Sequence, residues 1–141
     1  MKVTATRQIQ FSAGHRLWKH EGRCASLHGH NYRAVVHAEA DRLDDVGRVV
    51  DFAVLKQRLG TWLEEHWDHA FICHRDDCET IKAISSVPDQ RLFLMDSNPT
   101  AENLAAYLLR VVGPQQLAGT GIRLVKVAVW ETENCCAEVA V

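Results

Sequence analysis

Nothing in the sequence approaches the run of about 20 apolar residues that a membrane-spanning helix needs. The opening residues, Met1-Lys2-Val3-Thr4-Ala5-Thr6-Arg7, hold no apolar stretch of signal-peptide length. Neither membrane insertion nor export is therefore expected, and the five cysteines read as reduced thiols of a cytoplasmic protein rather than a disulfide framework. Cys135 and Cys136 are adjacent and ill placed to pair with each other, while Cys73 and Cys78 lack a second pair at zinc-ribbon spacing. Basic runs are missing as well. With a formal net charge of −2, that absence argues against nucleic acid as the main partner. Local positive charge at Arg16, Lys19 and Arg23 either attracts a phosphorylated ligand or is simply a solvated loop. No internal repeat at solenoid periods is visible.

What is present suits one domain, 1–141, able to bury roughly two-thirds of its unfolded surface. Residues from about 3 to 15 alternate, with Thr4, Thr6, Gln8, Gln10 and Ser12 opposing Ile9, Phe11, Ala13 and His15, which predicts a half-buried strand. A loop over 16–27 and a second long strand over about 29–41 complete an antiparallel pair. Asp51 is placed to cap a helix in which Phe52, Leu55, Leu59, Trp62, Leu63 and His66 recur at helical spacing, with an end near Trp67. The stretch 70–88 is mixed, with a turn at Arg75-Asp76-Asp77 and one helical turn over 81–84, and 91–96 reads as a short strand. Thr100 N-caps a second helix whose stripe is Leu104, Tyr107, Leu108 and Val111, and Gly113-Pro114 is expected to stop it. Strands over about 122–132 and 135–141 close the chain. The order is ββααββ plus a short extra strand, an α+β fold with two helices on one face of an antiparallel four-stranded sheet.

Chemistry concentrates around Cys24-Ala25-Ser26-Leu27-His28-Gly29-His30-Asn31-Tyr32. On an extended segment His28 and His30 project from the same face and can share one ligand, although two hydrogen-bonded core histidines would look the same. His15 ends the apolar face of the first strand, and His28 and His30 share parity with Tyr32, Ala34, Val36 and Ala38 on the second. Two strands thus carry three imidazoles to one apolar side. Three neutral imidazoles with a fourth position open are the ligand set of a catalytic zinc site, whereas structural zinc favours closed, thiolate-rich shells. Cys24 either closes the shell as a fourth ligand or stays off the metal as a thiolate nucleophile or base.

Taken together, Phe11-Ser12-Ala13-x-His15, Cys24-x3-His28-Gly29-His30-Asn31-Tyr32, Asp68-His69, Pro99-Thr100-x-Glu102-Asn103 and Glu131-Thr132 resemble the 6-pyruvoyltetrahydropterin synthase / 6-carboxytetrahydropterin synthase family. The motifs run in the family's order over nearly the whole chain. The resemblance implies the tunnelling fold (T-fold), in which copies join edge to edge into homo-oligomeric barrels, such as a hexamer of two trimers, with sites at subunit interfaces. It implies zinc on His15, His28 and His30, and proton transfer by Cys24, Asp68 and His69. It also implies a pterin clamp at Glu131, assisted by Thr100. The substrate implied is 7,8-dihydroneopterin triphosphate. The carboxy branch eliminates triphosphate, releases acetaldehyde and gives 6-carboxy-5,6,7,8-tetrahydropterin for queuosine synthesis; the pyruvoyl branch stops at an internal redox isomerisation. The Cys-x3-His-Gly-His spacing of Cys24 to His30 is that of the carboxy branch, but the span from His69 to Pro99 is longer than in compact carboxy enzymes, and Trp67 and Cys73 stand where Leu and Asn are usual.

On the residues alone, Asp68 is a turn cap and His69 a surface side chain, or the carboxylate orients the imidazole for proton relay. Glu131 ends the apolar face of Val125, Val127 and Val129 and needs a partner if buried. Glu102, in the first turn of the second helix, suits the helix dipole. A rival from another class is a non-enzymatic, zinc-stabilised binding module with Cys24 on the metal, whose folding would depend on the ion.

Overall fold

The alternation of residues near the N-terminus becomes strand β1 (Ala5–His15), paired antiparallel along its whole length with β2 (His28–Ala40). The structure, a computed structural model, describes residues 1–141. β2 pairs antiparallel with β5 (Ile122–Thr132), which pairs with β6 (Cys135–Ala140). These are the four antiparallel strands expected.

Two further strands extend the sheet. β3 (Phe71–His74) lies parallel to β1 at Gly14 and His15, and β4 (Leu92–Met95) lies parallel to β3, so the sheet is six-stranded and mixed, in the order β4-β3-β1-β2-β5-β6. The short strand expected over 91–96 is β4; β3 was not expected. Its four residues, Phe71-Ile72-Cys73-His74, are too few to show a period, and Ile72 and Cys73 are both buried. The parallel crossover from β3 to β4 is made by α2 (Cys78–Ser85), a full helix where one turn was expected. Asp77 caps it: its carboxylate accepts from the Thr80 N–H at 3.3 Å and the Thr80 hydroxyl at 2.6 Å.

Both long helices are as placed by their caps, and both contain a π turn. α1 (residues 52–66) starts from Asp51, whose side chain accepts the Ala53 N–H, and passes through a π-helical stretch at Lys56–Gly60. Leu55, Leu59, Trp62 and Leu63, at helical spacing, form its buried face. α3 (residues 101–116) starts from Thr100, which accepts the Asn103 N–H at 3.1 Å, and has its π stretch at Leu108–Val112. Gly113-Pro114 does not stop it. Gly113 donates to the Leu108 carbonyl across the π turn, and Pro114 falls at the start of the closing segment Gly113–Gln116, where a missing N–H is tolerated.

The two helices cover the sheet face formed by Phe11, Ala13, Tyr32, Ala34, Val36, Val127 and Val129. An aromatic cluster fills the join, with Trp67 5.5 Å from Phe11 and 5.8 Å from Phe93, and Tyr107 5.6 Å from Phe93. Leu104, Val112 and Leu124 pack between α3 and β5. The approach is closest at Gly113, where a Cβ would stand 2.8 Å from Leu124 Cδ1 and 3.1 Å from the Leu108 oxygen. Gly113→Ala should therefore cost about 1–3 kcal/mol of stability through overpacking. Urea unfolding measures this, and an unchanged midpoint would show that the helix and β5 are not in close contact there.

Candidate metal centre and active site

The register of β1 on β2 sets His15 directly opposite His28 and Ala13 opposite His30. The ligand nitrogens of His15, His28 and His30 lie within 4.8 Å of one another. His15 Nδ1 lies 2.8 Å from the Pro99 carbonyl and His28 Nδ1 lies 2.7 Å from the Ser26 carbonyl. A carbonyl only accepts, so both Nδ1 atoms carry protons, and in the neutral rings both Nε2 atoms present lone pairs. Those Nε2 atoms face each other at 3.0 Å. Two lone pairs at that distance repel unless a proton or a metal ion lies between them, and a tetrahedral zinc with ligand bonds of about 2.0–2.1 Å asks for nitrogens only slightly further apart.

His15 is 1% exposed. Burial pushes its imidazole down to about 4, against the opposing effect of the Pro99 bond, and its histidine neighbours push the same way. Burial also lowers His30, opposed by Glu131. His15 and His30 are thus biased toward the neutral form that a metal requires, and three imidazole nitrogens are a donor set that fits zinc. Cys24 is not among the clustered ligand atoms; it is a half-buried free thiol in a 3₁₀ turn, Arg23–Ala25.

Gly29, between the two histidines of β2, has a steric reason that the sequence does not announce. A Cβ there would lie 2.7 Å from the Ala13 carbonyl oxygen and 3.3 Å from Gly14 Cα. Its partner across the ladder is Gly14, and a Cβ on Gly14 would strike the Phe71 ring of β3 at 2.5 Å. The paired glycines let three strands close up beside the histidines.

Asp68 and His69 form the turn that leaves α1. His69 has φ 58°, a left-handed conformation uncommon outside glycine, and its N–H donates to the Ser12 carbonyl at 2.6 Å. Asp68 Oδ1 accepts from the Ser12 N–H at 2.8 Å and Oδ2 from His69 Nδ1 at 2.9 Å. Arg91 donates to the carbonyls of Glu64, Glu65 and Asp68, closing the helix end and holding the turn. Burial acts to raise the Asp68 carboxyl, but the Ser12 bond, the bond and charge of His69 and the charge of Arg91 together bring it below the usual carboxylate range. The His69 ring is largely exposed.

Glu131 stands at the rim of the triad, 3.9 Å from His30 Nε2 and half-buried. It lines a cavity of about 860 Å³ together with Asp68, His30, Tyr32 and Trp130. A neighbouring cavity of about 610 Å³ is lined by His28, His30, His69 and Phe71, and the two share Ser12, Gly29, His30 and Asn31. His30 therefore sits where the two cavities meet. Thr100 lines neither of them, its hydroxyl oxygen being engaged as the cap of α3, and Cys24 lines neither. The Pro99 carbonyl that holds His15 and the Ser12 backbone that holds Asp68 were not anticipated, since a main-chain group leaves no mark on residue type.

The glycine pair yields a direct test. Gly29→Ala should fold with fewer than one zinc per chain after metal loading and gel filtration, because relieving the clash separates His15 from His28. Full zinc occupancy in the folded variant would mean that the strand spacing does not hold the triad.

The family model described as 6-pyruvoyl tetrahydropterin synthase matches residues 4–140. A 6-carboxy-5,6,7,8-tetrahydropterin synthase of Rickettsia felis is 36% identical over 97% of this chain and 99% of its own length. Among solved structures, an uncharacterized protein of Wolinella succinogenes superimposes with a TM-score of 0.83 at 22% identity, covering 99% of this chain and 98% of that one. The 6-pyruvoyl tetrahydropterin synthase of Caenorhabditis elegans does so with a TM-score of 0.71 at 25% identity, covering 100% and 96%. On the match of the family model over nearly the whole chain, supported by these likenesses, the chain belongs to the 6-pyruvoyl tetrahydropterin synthase family.

Proposed function

We propose that the protein is a zinc-dependent 6-carboxy-5,6,7,8-tetrahydropterin synthase acting on 7,8-dihydroneopterin triphosphate. The observation that carries the metal site is the pair of facing Nε2 atoms at 3.0 Å with His30 beside them. His15, His28 and His30 would hold the zinc, which when bound supplies the Lewis acidity that makes side-chain hydroxyls and the adjacent C–H more acidic. The choice of the carboxy branch rests on the Rickettsia felis relative's name and on the Cys-x3-His spacing of Cys24.

The protein's own side chains divide the remaining work. Glu131, an acceptor pair at the wall of the larger cavity, would receive two N–H groups of the pterin ring without Thr100, which lines neither cavity. Asp68 keeps its charge and holds the Nδ1–H of His69, leaving His69 Nε2 to take or give a proton over the neighbouring cavity. Cys24 is the other proton-transfer group of this reading. A site open along β1 and β2 also suits assembly of several copies in the cytoplasm with one closing the next, and a single-chain mass in sedimentation would contradict that.

Incubation with dihydroneopterin triphosphate and mass analysis tests the assignment: 6-carboxytetrahydropterin and acetaldehyde are expected, whereas accumulation of the pyruvoyl compound would move the protein to the other branch. Cys24→Ala and Asp68→Asn should keep zinc and lose turnover by roughly 10²–10⁴-fold. Loss of metal from Cys24→Ala would make the thiol a ligand and sink this mechanism. Glu131→Ala should weaken binding of a pterin analogue at unchanged zinc content, and Glu131→Gln should restore little, because its amide presents a donor to a donor. Wild-type analogue affinity in both variants would locate the ring clamp elsewhere.

A further inference from the structure

Asn98, in the turn between β4 and α3, contributes to neither cavity, yet its side chain and carbonyl join the loop after β1 to the start of α3. Its Oδ1 accepts the Trp18 N–H at 2.8 Å and its Nδ2 donates to the Trp18 carbonyl at 2.9 Å. The side-chain amide thus pairs with both backbone groups of one loop residue, as a neighbouring strand would. An amide is suited to this because it carries a donor and acceptors on one planar group. The Asn98 carbonyl accepts from Asn103 Nδ2 and from the Thr100 N–H, both at 2.9 Å, which fastens it to the first turn of α3. Pro99 follows, restricting the backbone of Asn98 and offering the carbonyl that takes the His15 Nδ1–H.

On the other side of this bond pair is the loop from β1 to β2, which carries Cys24. Leu17, next to Trp18, donates its N–H to the Cys24 carbonyl at 2.9 Å, and the Trp18 ring rests 4.8 Å from His74 of β3. At its far end the loop is held by the His28 bond to Ser26. The stretch carrying the thiol is therefore referenced at Trp18 to Asn98, and the buried histidine to Pro99, the next residue in the chain. We propose that Asn98 is a positioning residue that keeps the Cys24 loop and the Pro99 anchor of His15 in one register, so that the thiol and the metal ligands hold a fixed relation. This rests on the reading of the histidines as zinc ligands and of Cys24 as a proton-transfer group.

The test uses the full chain and two readouts that involve no pterin. Zinc affinity is measured by competition with a chromophoric chelator, and the rate of Cys24 alkylation by iodoacetamide in the zinc-loaded protein is followed by peptide mass. Asn98→Ala should lower zinc affinity by roughly 10–100-fold, the range for loss of a group that orients a metal ligand. It should also change the Cys24 alkylation rate several-fold. If that variant does not fold, Asn98→Asp decides: it keeps the acceptor for the Trp18 N–H, loses the donor to the Trp18 carbonyl, and must move both readouts. Wild-type values in the folded variant, or a change in one readout alone, overturn the shared register. Failure of the wild type to turn over the pterin would instead count against the proposed function and leave the Asn98 result standing.

Discussion

The pairing of β1 with β2 over 11 residues is the constraint on which the rest of this protein depends. Strand side chains alternate, so a slip of one residue would turn every side chain of one strand to the opposite face and carry its histidines away from those of the other. That register is fixed from below by Phe11, Ala13, Tyr32, Ala34 and Val36, which must face the helices to be buried. It is allowed from above by Gly14 and Gly29, which face each other where any Cβ would collide. Hydrophobic burial far from the site thus sets the distance between two nitrogens within it. The aromatic stack of Phe11 on Tyr32, with ring centroids 4.9 Å apart, joins the core to the histidine layer.

The site sets a buried imidazole cluster apart from a carboxylate–imidazole pair at the sheet edge. His15 is buried against His28, His30 and Tyr32, and burial, chief among several influences, disfavours its charged form. The Pro99 carbonyl, on its Nδ1 side, selects the tautomer with Nε2 free to face His28. Asp68 and His69 sit at the edge of the same sheet under the opposite conditions: the carboxylate is held ionised by donors, and the imidazole is largely exposed. The left-handed backbone of His69 is maintained by its bond to Ser12 and by Arg91 on the carbonyls around it. Arg91 reaches that position from the start of β4, so the segment between β3 and α3 supports the dyad as well as widening the sheet.

Much of this was legible in residue types and spacing. Alternation marked β1 and β2, the caps Asp51 and Thr100 marked both long helices, and parity alone carried His15, His28 and His30 to one side. These are local signals, in which each residue's own chemistry decides its direction relative to its neighbours, and they suffice to bring three imidazoles together as a candidate ligand set. The motifs together were specific enough to indicate the family. Three features were decided only by tertiary structure. β3 is too short for a period and exists because Gly14 leaves room for Phe71 beside it. The helix past Gly113-Pro114 persists because a π turn upstream places the proline where no N–H is needed. The supports of the site, the Pro99 carbonyl, the Ser12 backbone and the Asn98 amide, are main-chain or generic polar groups whose partners lie 84, 56 and 80 residues away in the chain. A backbone carbonyl is the same at every position, so only folding could give one of them a histidine to hold.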